Sequence, residues 1–122
     1  MTQRAYNLDY LLEISGGDEA FVHRMITEFM SVAPGTLHSI REQVSNMDYQ
    51  KVKMLIHQFG PQLDYLGLSG SRRMADQIES LCKTQGDWNI IASLLNEIDN
   101  AAKEALQELA IDFNVRSKQT EN

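Results

Sequence analysis

Few side chains in this 122-residue chain can act as nucleophiles or as acid–base groups near neutral pH: three histidines, His23, His38 and His57, and one cysteine, Cys82. The sequence holds no glycine-rich phosphate loop, Gly-x-Ser-x-Gly, His-Glu-x-x-His or close Cys/His pair, so an autonomous nucleotide-binding or hydrolytic enzyme has little support. A single thiol makes no internal disulfide and, without spaced partners, no zinc site. Cys82 shares the apolar side of its segment with Ile78 and Met74 and reads as a buried structural thiol.

The chemistry therefore rests on imidazole. With about 100° per residue of helix, the apolar residues Val52, Leu55, Ile56, Phe59, Leu63 and Leu66 fall on the side opposite His57, which must then face solvent. His23 and His38 also lie off their apolar stripes, so exposure alone does not choose among the three. What sets His57 apart is Gly60-Pro61, one turn later on the same face. Inside a helix, glycine costs about 1 kcal/mol relative to alanine and proline roughly 3. Either the helix ends or kinks there, or a side-chain-poor notch beside His57 lets another protein's backbone approach the ring. Met54, Pro61 and Tyr65 lie within about 80° of His57 on the wheel. They form either a docking patch with Gly60 or a seat for the short N-terminal helix carrying Leu8, Leu11 and Leu12. Asp64, a turn beyond Gly60, adds a negative charge that needs a partner.

The elements that must hold these residues are helical throughout. A short helix over about Leu8 to Ile14 stops at Ser15-Gly16-Gly17; Asp18 then caps a second, with Phe21, Val22, Met25, Ile26 and Phe29 as its stripe. Pro34 is expected to interrupt it and to open a third helix carrying Leu37, Ile40, Val44 and Met47. Asp48 starts the fourth, which carries His57 and runs to the break Gly67-Leu68-Ser69-Gly70. The fifth passes through Met74, Ala75, Ile78 and Leu81 to Gln85-Gly86, and Asp87 caps the sixth and longest. Short links favour antiparallel neighbours, so the expected architecture is an all-α, up-and-down antiparallel four-helix bundle with an additional short N-terminal helix. Residues 1–122 read as one domain with its core from about 8 to 113, and the polar tail 114–122 is expected to fray.

Forty-three per cent apolar and 23% charged residues suit a globular protein, and two prolines with seven glycines leave little room for a turn-rich β-sandwich. The net charge of −6 argues against general affinity for nucleic acid or anionic membranes. No apolar run approaches the roughly 18 residues of a membrane span, and Met1-Thr2-Gln3-Arg4 does not lead into a secretion signal. A cytoplasmic protein is expected.

Taken in order, the segments resemble the histidine-containing phosphotransfer (HPt) domain of phosphorelays, from Leu8 to about Phe113. Leu11-Leu12-Glu13-Ile14-Ser15-Gly16-Gly17-Asp18-Glu19-Ala20-Phe21 is similar to the family's opening pattern, and Phe29 to Pro34 and Asn46-Met47-Asp48-Tyr49 follow in place. His57-Gln58-Phe59-Gly60-Pro61 with Leu66-Gly67 looks like the family's phosphoacceptor segment, and Glu79 stands where the next helix carries an acidic or amide residue.

The resemblance implies a monomeric phosphoryl carrier, with His57 receiving a phosphoryl group from a receiver-domain aspartate through Nε2 and passing it to another receiver. Glu79 would hold Nδ1–H and keep Nε2 free. The attack requires a neutral imidazole with a free lone pair. The implied partners are response-regulator receiver domains, with a hybrid sensor histidine kinase as a further candidate. No intrinsic cofactor or metal is implied; magnesium belongs to the partner receiver. Gly60 stands where the family has lysine, and Pro61 where it usually has glycine. Lys53, Arg72 and Lys83 are the candidates to replace that cation. Without a replacement, the alternative is a transfer-impaired module that binds receivers or kinases, and a plain helical bundle with an incidental His57 is a third reading.

Overall fold

The computed structural model describes residues 4–113 and is all-helical: α1 (Asp9–Ile14), α2 (Glu19–Ser45), α3 (Tyr49–Tyr65), α4 (Ser69–Lys83) and α5 (Trp88–Asp112), with no strand among the described residues. The tail expected to fray, from Asn114 on, lies outside them. Three aspartates start the long helices as their types foretell. Asp18, Asp48 and Asp87 sit in extended backbone and accept hydrogen bonds from the amides of Phe21, Lys51 and Asn89, satisfying donors that the first helical turn leaves open. The first helix begins one residue later than expected, with Leu8 at its N-terminal boundary.

The expected break at Pro34 is absent. α2 continues through it for 27 residues, so the second and third helices of the sequence reading are one. Pro34 itself is exposed, while Met30, Ala33, Leu37 and Ile40 on the other side are buried in a single stripe. Proline withholds the hydrogen bond that the Met30 carbonyl would accept, at a cost of about 3 kcal/mol. Burial of Leu37 and Ile40, worth roughly 1.5–3 kcal/mol each, depends on their staying in line with Phe29 and Ala33 and outweighs that penalty. Pro61 is handled alike: it is exposed, and α3 runs past Gly60-Pro61 to Tyr65 because Phe59 and Leu63 are both fully buried.

α3 packs on α2 and α4, α5 packs on α2 and α4, and α1 lies against α2 and α3. The core is one cluster of side chains from all five helices, with the Phe29 and Phe59 rings stacked at 6.3 Å. Links of three or four residues join α2 to α3, α3 to α4 and α4 to α5. At one end, Tyr49 stacks on Trp88 at 4.2 Å and donates its hydroxyl to the Gly86 carbonyl. At the other, Gly67 adopts φ +69°, and a Cβ there would lie 2.6 Å from the Asn7 carbonyl oxygen. That close approach lets the Asn7 amide donate to Leu66 O at 2.8 Å, seating the N-terminal segment across the α3–α4 link. No helix is long and apolar enough to cross a membrane among the described residues.

Candidate functional site around His57

Two helix faces built on the same spacing meet at the site. On α3, Lys53, His57, Gly60 and Asp64 follow one another at steps of four, three and four; on α4, Arg72, Asp76, Glu79 and Lys83 do the same. The helices run antiparallel, since Asp64 near the end of α3 meets Arg72 near the start of α4, while His57 meets Glu79 two turns away.

His57 projects into solvent with 73% of its side chain exposed. Its Nδ1 lies 3.2 Å from Glu79 Oε1, and Glu79 is mostly covered, with 22% of its side chain exposed. A carboxylate accepts and does not donate, so in a neutral ring this contact is made by a proton on Nδ1, and Nε2 then carries the lone pair. The other carboxylate oxygen, Oε2, faces Lys83 Nζ at 4.0 Å. Lys83 thus steadies Glu79 while its own side chain remains exposed.

Gly60 is buried, and the reason corrects the expectation of an open notch. A Cβ built there would lie 1.5 Å from Arg72 Nη1 and 2.9 Å from Cζ, so the space of the missing side chain is filled by the Arg72 guanidinium. Arg72 Nε is held by Asp64 Oδ2 at 3.3 Å and lies 3.9 Å from Asp76 Oδ1. Asp64 therefore has the partner that its position demanded. Lys53, one turn before His57 on the same face, is half-buried. Burial pushes the Cys82 thiol up from its ordinary pKa, with the Lys53 charge opposing and Glu79 adding to the shift. Cys82 is buried, as its place on the helix indicated.

The expected docking residues separate into two groups. Met54 is 51% exposed, and Pro61, two turns further along α3, is exposed as well. Tyr65 is half-buried; its ring stacks on Tyr10 of α1 at 6.2 Å and borders a groove of about 240 Å³ between α1, α2 and α3, lined by Leu11, Phe29 and Val32. Tyr65 thus serves as a seat for α1. Val32, exposed on α2, and Gln58, next to His57, share this side of the molecule and were missed because neither has a distinctive sequence signal. Asp76 was also missed, although its place four residues after Arg72 was a usable one.

His23 and His38 are exposed in different company: His23 meets the Phe113 ring edge-on, and His38 lies 3.8 Å from Glu42 one turn along its own helix. Among the described residues no three His, Cys, Asp or Glu side chains are grouped as a metal site requires. Comparison with family models, with curated proteins and with solved structures finds no match to this chain. The functional reading rests on the geometry of His57.

Proposed function

We propose that this chain is a phosphoryl carrier of a two-component phosphorelay, accepting a phosphoryl group from a receiver aspartate on His57 and passing it to another receiver. The observation that carries the reading is an exposed imidazole whose Nδ1 is 3.2 Å from a carboxylate on the facing helix. In the transfer the Nε2 lone pair forms the new N–P bond, the acyl phosphate's P–O bond breaks, and the donor aspartate leaves as a carboxylate. The ring gains positive charge as this happens, and the ionised Glu79 beside Nδ1–H stabilises it. Attack and departure at phosphorus depend on positioning and charge neutralisation, and on this reading magnesium and the acidic pocket come from the partner receiver.

The helix order and packing suit an up-and-down, antiparallel four-helix bundle of the HPt type, α2 to α5, with α1 laid over one side. On the same reading the chain is a cytoplasmic monomer that docks receivers, and a hybrid sensor kinase upstream, through Met54, Pro61 and the surface around them.

The test is incubation with a receiver domain charged by acetyl phosphate, followed by location of acid-labile, alkali-stable phosphate by mass spectrometry. Label on His57, reduced at least about 100-fold in His57→Gln, is the expected result; transfer unchanged in that variant would falsify the assignment. One observation favours a second reading. Asp64 and Asp76 both flank Arg72, so this end of the site carries more negative than positive charge. Tight receiver binding with no phosphate on His57 identifies the chain as a transfer-impaired regulatory module.

A further inference from the structure

The Gly60–Arg72 contact has no role in orienting the imidazole and is an unusual way to spend a helix position. Glycine is a poor residue for a helix interior, yet here it is buried and its place is taken by the terminal nitrogen of an arginine from the facing helix. Side chains three apart on a helix have Cβ atoms about 5–6 Å apart. With Nη1 only 1.5 Å from where a Gly60 Cβ would be, the guanidinium lies within roughly 8 Å of the His57 Cβ.

We propose that Arg72, seated on the bare Gly60 backbone, is the residue that neutralises the charge of the phosphoryl group on His57. The inference rests on the carrier reading above and names the cation that the reading needs. Three features support Arg72 over the other candidates. Its side chain is only 31% exposed and is braced at Nε by Asp64 and Asp76, so its fork is held before the phosphoryl group arrives. The nitrogen that rests on Gly60 is a terminal one, distinct from the Nε that faces the carboxylates, and guanidinium recognises phosphate oxygens through several donors at once. Lys83 faces Glu79, and the three atoms nearest the missing Gly60 side chain all belong to Arg72, none to Lys53. Gly60 is then required for a stated reason: any side chain there displaces the cation.

The experiment uses phosphoramidate as a small-molecule donor, which removes partner docking from the measurement. The Nε2 lone pair forms the N–P bond, the donor's P–N bond breaks, and ammonia leaves with its electron pair while the ring proton stays on Nδ1. Phosphohistidine at position 57 is followed by ³¹P NMR, and the helical content of every variant is checked by circular dichroism. Arg72→Gln is expected to slow formation about tenfold, the scale of one charge-assisted hydrogen bond. Gly60→Ala, which keeps the arginine but evicts its tip, is expected to slow it similarly and decides the question if Arg72→Gln does not fold. The double variant Arg72→Gln/Gly60→Lys, which returns a cation from α3, is expected to recover to within about threefold of the starting rate. Unchanged rates in Arg72→Gln and Gly60→Ala overturn the proposal, and so does a loss that lysine at position 60 does not restore. A wild-type chain that takes no phosphate on His57 is a separate outcome: it overturns the carrier reading, and this inference falls with it.

Discussion

A single carboxylate determines which nitrogen of His57 is free. The Glu79 contact is partly covered on the Glu79 side and open on the His57 side, so on the proposed carrier reading it fixes the tautomer of a neutral ring without hiding it. Glu79→Ala should move ring proton from Nδ1 toward Nε2, visible in the imidazole ¹⁵N shifts, and slow phosphohistidine formation about fivefold, equivalent to roughly 1 kcal/mol. Glu79→Gln keeps an acceptor and should retain the tautomer while losing part of the rate, which separates orientation from charge. Histidine exposure was legible in the sequence because it follows from helical periodicity, whereas Glu79 was indicated by the resemblance to phosphotransfer domains alone, since its contact with His57 joins two helices. The occupant of the Gly60 gap was not legible. Whether an arginine tip or a partner's backbone fills the space depends on how α3 and α4 are aligned, and no local pattern encodes that register.

At the scale of the helix, local preference and tertiary burial compete, and the outcome differs between the two kinds of signal. Asp18, Asp48 and Asp87 were readable as helix starts because capping satisfies backbone donors within three residues. Pro34 was misread because its penalty is local whereas the opposing gain comes from Leu37 and Ile40 packing in the core. Pro34→Ala is therefore expected to stabilise the protein by about 1–3 kcal/mol, since it restores a donor to the Met30 carbonyl without altering a buried contact. The measurement is the urea unfolding midpoint at constant m. A lower midpoint would show that Pro34 relieves a conflict in α2.

For the molecule as a whole, polar ties close what the apolar core leaves open. Asp99, nearly buried on α5, lies 3.1 Å from Arg41 on α2 and 3.2 Å from Lys103, so its charge is offset across the helix pair. The N-terminal segment joins distant parts: the Ala5 amide donates to Glu108, Arg4 pairs with Asp112 at 2.5 Å, and the Tyr6 hydroxyl donates to Asp112. Burial, reinforced by the Asp112 hydrogen bond and charge, raises the Tyr6 pKa from 10.0 to about 12. Because the folded chain holds this proton longer than the unfolded one, the associated stability is intact below pH 10 and is lost as pH rises toward about 12. Tyr6→Phe should flatten that alkaline decline, measured as unfolding midpoints at several pH values from 9 to 12; a slope identical to wild type would remove Tyr6 from the account. Sequence by itself determined the helical period, the capping aspartates, the exposed side of His57 and the buried side of Cys82, because each depends on residues within a few turns of one another. Only the tertiary structure decided that Pro34 and Pro61 lie within continuous helices, that Tyr65 seats α1, and that Arg72 fills the place of a side chain at Gly60. Those outcomes depend on inter-helix register and burial, where distant residues supply the free energy that overrides local preference.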